Sequence, residues 1–205
     1  MKVLIVDDHA VVRSGLVRLL GVLPQVEITE AADGRAALAC VRTERPNLVV
    51  LDLNLPGIGG LELLRRVLME HPSGRVMVLS MHAEALYASR AMQAGALGYL
   101  SKGASPEELL EAVRRIIAGG RYIEAEIAQE LALQAATKEN PMEQLSARDL
   151  EILRLLGSSQ GLTEIAEALG ISYKTVANTC SQIKAKLGVS KTADLVRLSV
   201  EIGLV

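Results

Sequence analysis

Three aspartates, a serine and a lysine stand where short apolar runs end: Asp7 and Asp8 after Val3–Val6, Asp52 after Leu48–Leu51, Ser80 after Val76–Leu79, and Lys102 just past Leu97–Leu100. If the runs are strands of one open parallel sheet, their carboxyl ends share an edge, and groups far apart in sequence converge there. Crowded carboxylates repel one another and want a hard cation. Magnesium answers that need, since it takes carboxylate and water oxygens and shares its shell with phosphate. The chemistry such a set supports is phosphoryl acceptance, with Asp52 as nucleophile, Asp7 and Asp8 holding Mg2+, and Lys102 and Ser80 available to the transferred oxygens. Any one of these acids reads equally well as a solvated loop residue. Five suitable side chains at four strand ends are harder to set aside.

The runs need a framework that brings them side by side. Val3–Val6, Glu27–Ala31, Leu48–Leu51, Val76–Leu79 and Leu97–Leu100 read as five short strands, mostly bounded by polar or glycine-containing turns. Between them, stretches near 11–22, 35–44, 60–70 and 84–94 carry apolar residues at helical spacing, and Pro106 followed by Glu107 and Glu108 opens a fifth helix to about Ala118. Strands alternating with helices predict an α/β domain over residues 1–120, with a parallel sheet covered on both faces. Gly119 and Gly120 close it. Residues 121–142 are polar and alanine-rich, with a helix expected over Glu124–Ala136 and a break at Thr137–Pro141, and read as a linker. Residues 143–205 hold four helical segments, near 146–157, 162–169, 173–187 and 191–202, which predict a small all-α domain. Ser146, Ser172 and Ser190 are placed to cap the first, third and fourth, and Thr163 lies in the turn of the second.

Composition sets the bounds. Half of the 205 residues are hydrophobic and 22% are charged, enough apolar material for real cores. With 22 basic residues against 24 acidic and a formal charge of -2, the chain as a whole is no polycation, so only local charge can speak for nucleic acid. Cys40 and Cys180 lack the close spacing of a zinc site and read as two reduced thiols. The first residues do not look like a signal peptide and no apolar run is long enough to span a bilayer, so a cytoplasmic protein without a membrane partner is expected.

VLIVDDH at the start, VLDLNLPGIGG around Asp52, VLSMH with Ser80 and GALGYLSKGA with Lys102 make residues 1–120 resemble the receiver domain of bacterial two-component response regulators, a flavodoxin-like (βα)5 fold. The resemblance implies that a sensor histidine kinase passes its phosphoryl group to Asp52 and that the metal set comprises Asp7, Asp8, Asp52 and Asn54. It also implies that Ser80, Tyr99 and Lys102 sense the result, the Tyr99 ring swinging inward as the Ser80 hydroxyl engages the phosphoryl group. Half-buried packing is the plainer reading of Tyr99. Asn54 and His82 match positions that tune the lifetime of the phosphorylated state, although His82 reads most simply as a solvent-facing loop histidine.

In the second domain, two helical segments within 162–187 are separated by Gly170, Ile171 and Ser172, a helix-turn-helix arrangement. Ile165, Ala166, Leu169, Val176, Ile183 and Leu187 would form its internal stripe. LSARDLEILRLL, LTEIAEALGIS, KTVANTCSQIKAKLGV and DLVRLSVEIGLV resemble the four-helix DNA-binding domain of the NarL/FixJ, or LuxR-type, regulators, most nearly the branch containing GacA and UvrY. That likeness implies a homodimer on paired promoter half-sites of double-stranded DNA. It places Ala177, Asn178 and Ser181 toward the bases, with Lys174, Thr175, Lys184 and Lys186 as phosphate contacts and Leu195, Val196 and Ser199 in the dimer seam. Asn178 has the chemistry to pair with adenine, and Ala177 to touch a thymine methyl. Two positions depart from the pattern: Thr179 replaces an aromatic or histidine, and the turn glycine is displaced to Gly161. From Leu145 to Val205 there are seven Lys and Arg against six acids, so binding would lean on a small patch and on dimerisation.

The expected mechanism is an equilibrium that phosphorylation of Asp52 shifts toward a DNA-competent dimer, in a regulator whose only catalysis is its own phosphorylation and dephosphorylation. Two other classes use the same residues. A signalling scaffold would turn the nearly neutral helical domain toward another protein, and an enzyme acting on a small phosphorylated substrate would use the acidic pocket for turnover.

Overall fold

The computed structural model describes residues 1–56, 58–81, 85–136, 144–201 and 204. The chain divides into two compact units, residues 1–131 and 132–205.

The first unit alternates β1 (Lys2–Val6), α1 (Ala10–Leu20), β2 (Glu27–Ala31), α2 (Gly34–Glu44), β3 (Leu48–Leu51), α3 (Gly60–Glu70), β4 (Arg75–Ser80), α4 (Ala85–Gln93), β5 (Gly98–Ser101) and α5 (Pro106–Ile117). The strands pair in parallel in the order β2-β1-β3-β4-β5, extended at the far edge by β6 (Tyr122–Ile123). Val3–Val6, Leu48–Leu51 and Val76–Leu79 are buried throughout, which is why these strands read as unbroken apolar runs rather than as alternating ones. On one face of the sheet Val3, Ile5, Val50, Met77 and Leu100 pack with Leu16 and Leu20 of α1 and Leu109, Val113 and Ile116 of α5.

Local chemistry starts and stops the helices where the sequence suggests. The Asp33 carboxylate accepts the Ala36 N–H ahead of α2, and the Ser105 hydroxyl accepts the Glu108 N–H ahead of α5, with Pro106 in the first turn. The sixth strand corrects the expected count of five. It arises in residues read as linker, where α6 (Ala125–Ala136) follows at once. Two residues are too few to show a period, so nothing in the sequence marked it.

The second unit contains α7 (Ala147–Gly157), α8 (Leu162–Ala168), α9 (Tyr173–Leu187) and α10 (Thr192–Glu201). Ser146 and Asp149 form a reciprocal capping box at α7, and the Ser172 hydroxyl accepts the Thr175 N–H at α9. Gly170, with φ +62°, turns the chain between α8 and α9 in a conformation that favours glycine. Ile165, Ala166, Leu169, Val176 and Ile183 are buried as the stripe requires. Cys180 completes that stripe between Val176 and Ile183, whereas Leu187 is only half-buried. Ahead of α10 the Asp194 carboxylate accepts the Lys191 N–H, so the chain is gathered there one residue beyond Ser190, the expected cap. Among the described residues no helix is long and apolar enough to cross a membrane.

The loop after β3 is held by close backbone approach. A Cβ on Gly60 would lie 2.3 Å from Leu53 Cα and 2.4 Å from its carbonyl oxygen, next to Asp52 in the chain. Gly60→Ala is expected to destabilise the first unit by about 2–3 kcal/mol, read as a lower urea midpoint at an unchanged denaturant slope.

Candidate functional site

Asp7 follows β1 and Asp52 follows β3. These two strands pair side by side, with Val6 opposite Leu51, at the place where the strand order reverses. The chain leaves β1 toward one side of the sheet and β3 toward the other, opening a crevice beyond their carboxyl ends. Asp7 and Asp52 are each 1% exposed at its floor, while Asp8 stands nearer the solvent. One oxygen from each of Asp7, Asp8 and Asp52 and a ring nitrogen of His9 lie within 4.8 Å of one another. Three carboxylates at that spacing suit a hard divalent cation.

Lys102 reaches the same point from β5. Its backbone N–H donates to the Ser80 carbonyl at 2.7 Å, and its Nζ lies 2.6 Å from Asp7 Oδ2 and 2.6 Å from Asp52 Oδ2. The other Asp52 oxygen accepts the Asn54 N–H at 2.9 Å, so Asn54 enters the site through its backbone. Ser80 and Tyr99 are buried on β4 and β5, and the Tyr99 ring is wholly inside the unit rather than half-exposed.

Burial raises the Asp52 carboxyl above its ordinary range, against the opposing pull of the Asn54 N–H and Lys102. Burial also works to lower the Lys102 ammonium, yet its bonds to Asp52 and Asp7 outweigh it and the net direction is upward. The Asp7 charge adds a smaller upward push on Asp52 to that of burial.

Sequence reasoning gave no role to two further contributors. Arg13 Nη1 donates to the Asp7 carbonyl at 2.7 Å while its Nε meets Glu30 at 3.3 Å, anchoring the turn that carries the acids. His9 donates its N–H to Asp7 Oδ1 at 2.8 Å and places Nδ1 2.8 Å from Asp8 Oδ1. Adjacency to the acid pair was the available signal for His9. Arg13 offered none. His82 lies outside the described residues.

In the second unit, Lys174, Thr175, Asn178 and Ser181 are exposed along α9, with Ala177 and Lys184 half-buried. The Thr179 and Ser181 hydroxyls donate to the Thr175 and Ala177 carbonyls of their own helix, at 2.9 and 3.1 Å. At the far end of α9, the Lys186 ammonium pairs with the buried Asp149 carboxylate of α7.

Residues 3–114 match the response regulator receiver domain and residues 143–199 match the luxR family of bacterial regulatory proteins. Transcriptional activator protein ExaE of Pseudomonas putida is 42% identical over 100% of this chain and 98% of its own. Response regulator GacA of Pseudomonas aeruginosa is 38% identical, over 100% and 98%. The structure of RcsB from Salmonella enterica serovar Typhimurium, bound to promoter P1flhDC in the presence of the phosphomimetic BeF3-, superposes with a TM-score of 0.73 at 26% identity, covering 96% of each chain.

The chain is a response regulator of the NarL/FixJ family. Its likeness to the branch of GacA and UvrY holds across its whole length. In this response regulator three expected surface roles meet a different placement. Leu195 and Ser199, expected at a dimer seam, are buried on the side of α10 that packs against α7, while Val196 is half-buried and Val200 exposed. Lys186, expected among the phosphate contacts, is engaged by Asp149.

The raised Asp52 carboxyl has a measurable consequence. Across a window that opens near the unfolded value of ~3.9, the folded state binds a proton more readily than the unfolded chain, and stability falls as pH rises through it. Asp52→Asn resembles the protonated form. It is expected to melt a few degrees above the parent near neutral pH, with the advantage shrinking on acidification and gone below about pH 4 in calorimetry.

Proposed function

We propose that Asp52 accepts a phosphoryl group from the phosphohistidine of a sensor kinase, and that the modified regulator dimerises on paired half-sites of double-stranded promoter DNA. The observation that carries this reading is the Lys102 ammonium held at 2.6 Å by two buried carboxylates beside a third.

Asp7, Asp8 and Asp52 would hold Mg2+, with Asn54 beside them, and the bound ion would supply neutralisation of charge on the transferring oxygens. In the transfer an Asp52 oxygen forms a bond to phosphorus as the phosphorus–nitrogen bond of the donor breaks, and the departing imidazole nitrogen keeps the electron pair and later gains a proton. Lys102 exchanges a carboxylate for a phosphoryl oxygen. The added charge of roughly -1.5 to -2 then recruits Ser80 and Lys102 and biases the packing of Tyr99. This is single-site acceptance by a cytoplasmic regulator, without turnover of a small substrate.

On DNA, α9 enters the major groove with Ala177, Asn178 and Ser181 toward base edges, and Lys174, Thr175 and Lys184 toward phosphates. Exposure of Lys174, Asn178 and Ser181 supports this assignment. The local charge is nearly balanced, so a monomer binds weakly and a dimer much more tightly.

Acetyl phosphate in Mg2+ is expected to label the regulator at one site, promote dimers and tighten promoter binding. Asp52→Asn should abolish all three responses while leaving the circular dichroism spectrum intact; a labelled Asp52→Asn protein would sink the assignment. Salt titration of promoter binding separates the lysines. Lys174→Ala should reduce the slope of log K against log salt by about one, whereas Lys186→Ala, already neutralised by Asp149, should weaken binding with the slope unchanged.

A further inference from the structure

We infer that Glu124 is a positioning residue for Lys102, its carboxylate standing in for the strand that ends at Ile123. The inference rests on the reading of Asp52 as phosphoryl acceptor.

β5 is flanked by β4 on one side and by the two-residue β6 on the other. Along the β6 side the ladder runs regularly at first: Tyr122 N–H donates to the Leu97 carbonyl at 2.9 Å, and Glu124 N–H donates to the Tyr99 carbonyl at 3.1 Å. In an evenly spaced parallel ladder, the next rung takes the Ser101 N–H to the Glu124 carbonyl. That carbonyl is committed elsewhere, since it accepts the Ala128 N–H at 2.9 Å where α6 begins.

The Glu124 side chain supplies the missing acceptor. Its Oε2 accepts the Ser101 N–H at 2.6 Å and its Oε1 accepts the Ser101 hydroxyl at 3.1 Å, a two-point grip by an ionised group. One residue on, the Lys102 N–H is bonded to the Ser80 carbonyl on the opposite side at 2.7 Å. The backbone that carries the pocket's ammonium is thus pinned from both neighbours, from β4 by a main-chain carbonyl and from the β6 side by a carboxylate.

The placement matters because a lysine side chain is long and rotatable, so the base it hangs from decides where its ammonium is centred. Lys102 must release a carboxylate and meet a phosphoryl oxygen without losing the pocket. Glu124 touches neither reacting atom and acts through Ser101 and the Lys102 backbone. It is also the residue immediately before α6, which makes the same carboxylate a direct tie between the pocket strand and the first turn of that helix.

The full chain carrying Glu124→Ala, Glu124→Gln or Ser101→Ala tests this by three measurements: amide hydrogen exchange without phosphodonor, the rate of phosphoryl uptake from acetyl phosphate, and Mg2+ affinity. Glu124→Ala should speed exchange at Ser101 and slow uptake by about tenfold, less than the ~100-fold that a 1 Å misplacement can cost. Mg2+ affinity should stay within about twofold, since Asp7 and Asp8 are untouched. Glu124→Gln keeps an acceptor oxygen for the N–H and should recover most of the rate, and Ser101→Ala should lose only a minor part of it. In a Lys102→Met background, Glu124→Ala should cost nothing more. Unchanged exchange at Ser101 overturns the inference, as does an uptake defect that persists undiminished without Lys102 or that follows a parallel loss of Mg2+ affinity. Absence of uptake by the parent chain defeats the acceptor reading instead, and the exchange measurement alone then settles whether the grip exists.

Discussion

One ammonium shared between two buried carboxylates governs the first unit. Lys102 lies 2.6 Å from both Asp7 and Asp52, and all three side chains are withdrawn from solvent. Removing three charges from water costs several kcal/mol for each ion, and only close pairing with well-placed hydrogen bonds offsets it. Each bond therefore has to be placed by something rigid. Asp7 and Asp52 are fixed by the pairing of β1 with β3, Lys102 by the register of β4 with β5, and the Asp52 loop by the Asn54 N–H and the close passage of Gly60 over Leu53. A slip of one residue between any of these strands would turn the side chains to opposite faces and leave a buried charge alone. The uniformly apolar β1, β3 and β4 can then be understood as the frame that makes such a slip costly.

The cluster is also deliberately unbalanced in charge. Asp8 adds a third carboxylate within reach of the pair, and Lys102 is the one ammonium among the described side chains that bridges them. Burial holds the Asp52 carboxyl protonated more readily than usual, with a smaller push from Asp7, while the bonds and charges of Asp52 and Asp7 hold the Lys102 ammonium more firmly against its own burial. A site with surplus negative charge attracts a cation first. Under the proposed function it accepts a further anionic group only once that cation is in place, which orders the two events without a moving part.

Much of this arrangement was legible in the chain because its logic is local. Parallel strands buried on both faces are apolar runs, their ends are polar, and the acids and the lysine sit at those ends. The helix starts at Ser146 and Ser172 were equally visible, being a matter of one side chain and a backbone N–H three residues on. What stayed hidden was pairwise. Lys186 read as one more basic residue of α9 until α7 placed Asp149 against it, and the burial of Leu195 and Ser199 appeared only once α10 packed against α7. Cys180 and Leu187 exchanged importance because helical period alone does not say where a stripe is centred. Charged residues have no period, so their partners appear only when the elements are assembled.

The Asp149 pair shows why such partners matter for the second unit. A carboxylate that caps α7 by accepting the Ser146 N–H at 2.8 Å has satisfied only one of its roughly four acceptor sites, and it is buried. Left alone, it would carry an uncompensated charge into the helical core, at a cost of several kcal/mol. Lys186 supplies the compensation from the last turn of α9, where a cation is also favoured by the helix dipole. One ion pair consequently fixes the end of α9 against the start of α7, while the exposed Lys174, Thr175 and Asn178 crowd the opposite end. Under the proposed function that division leaves the exposed first turns of α9 to the groove, while Lys184, beside the pair in the last turn, keeps its ammonium for a phosphate.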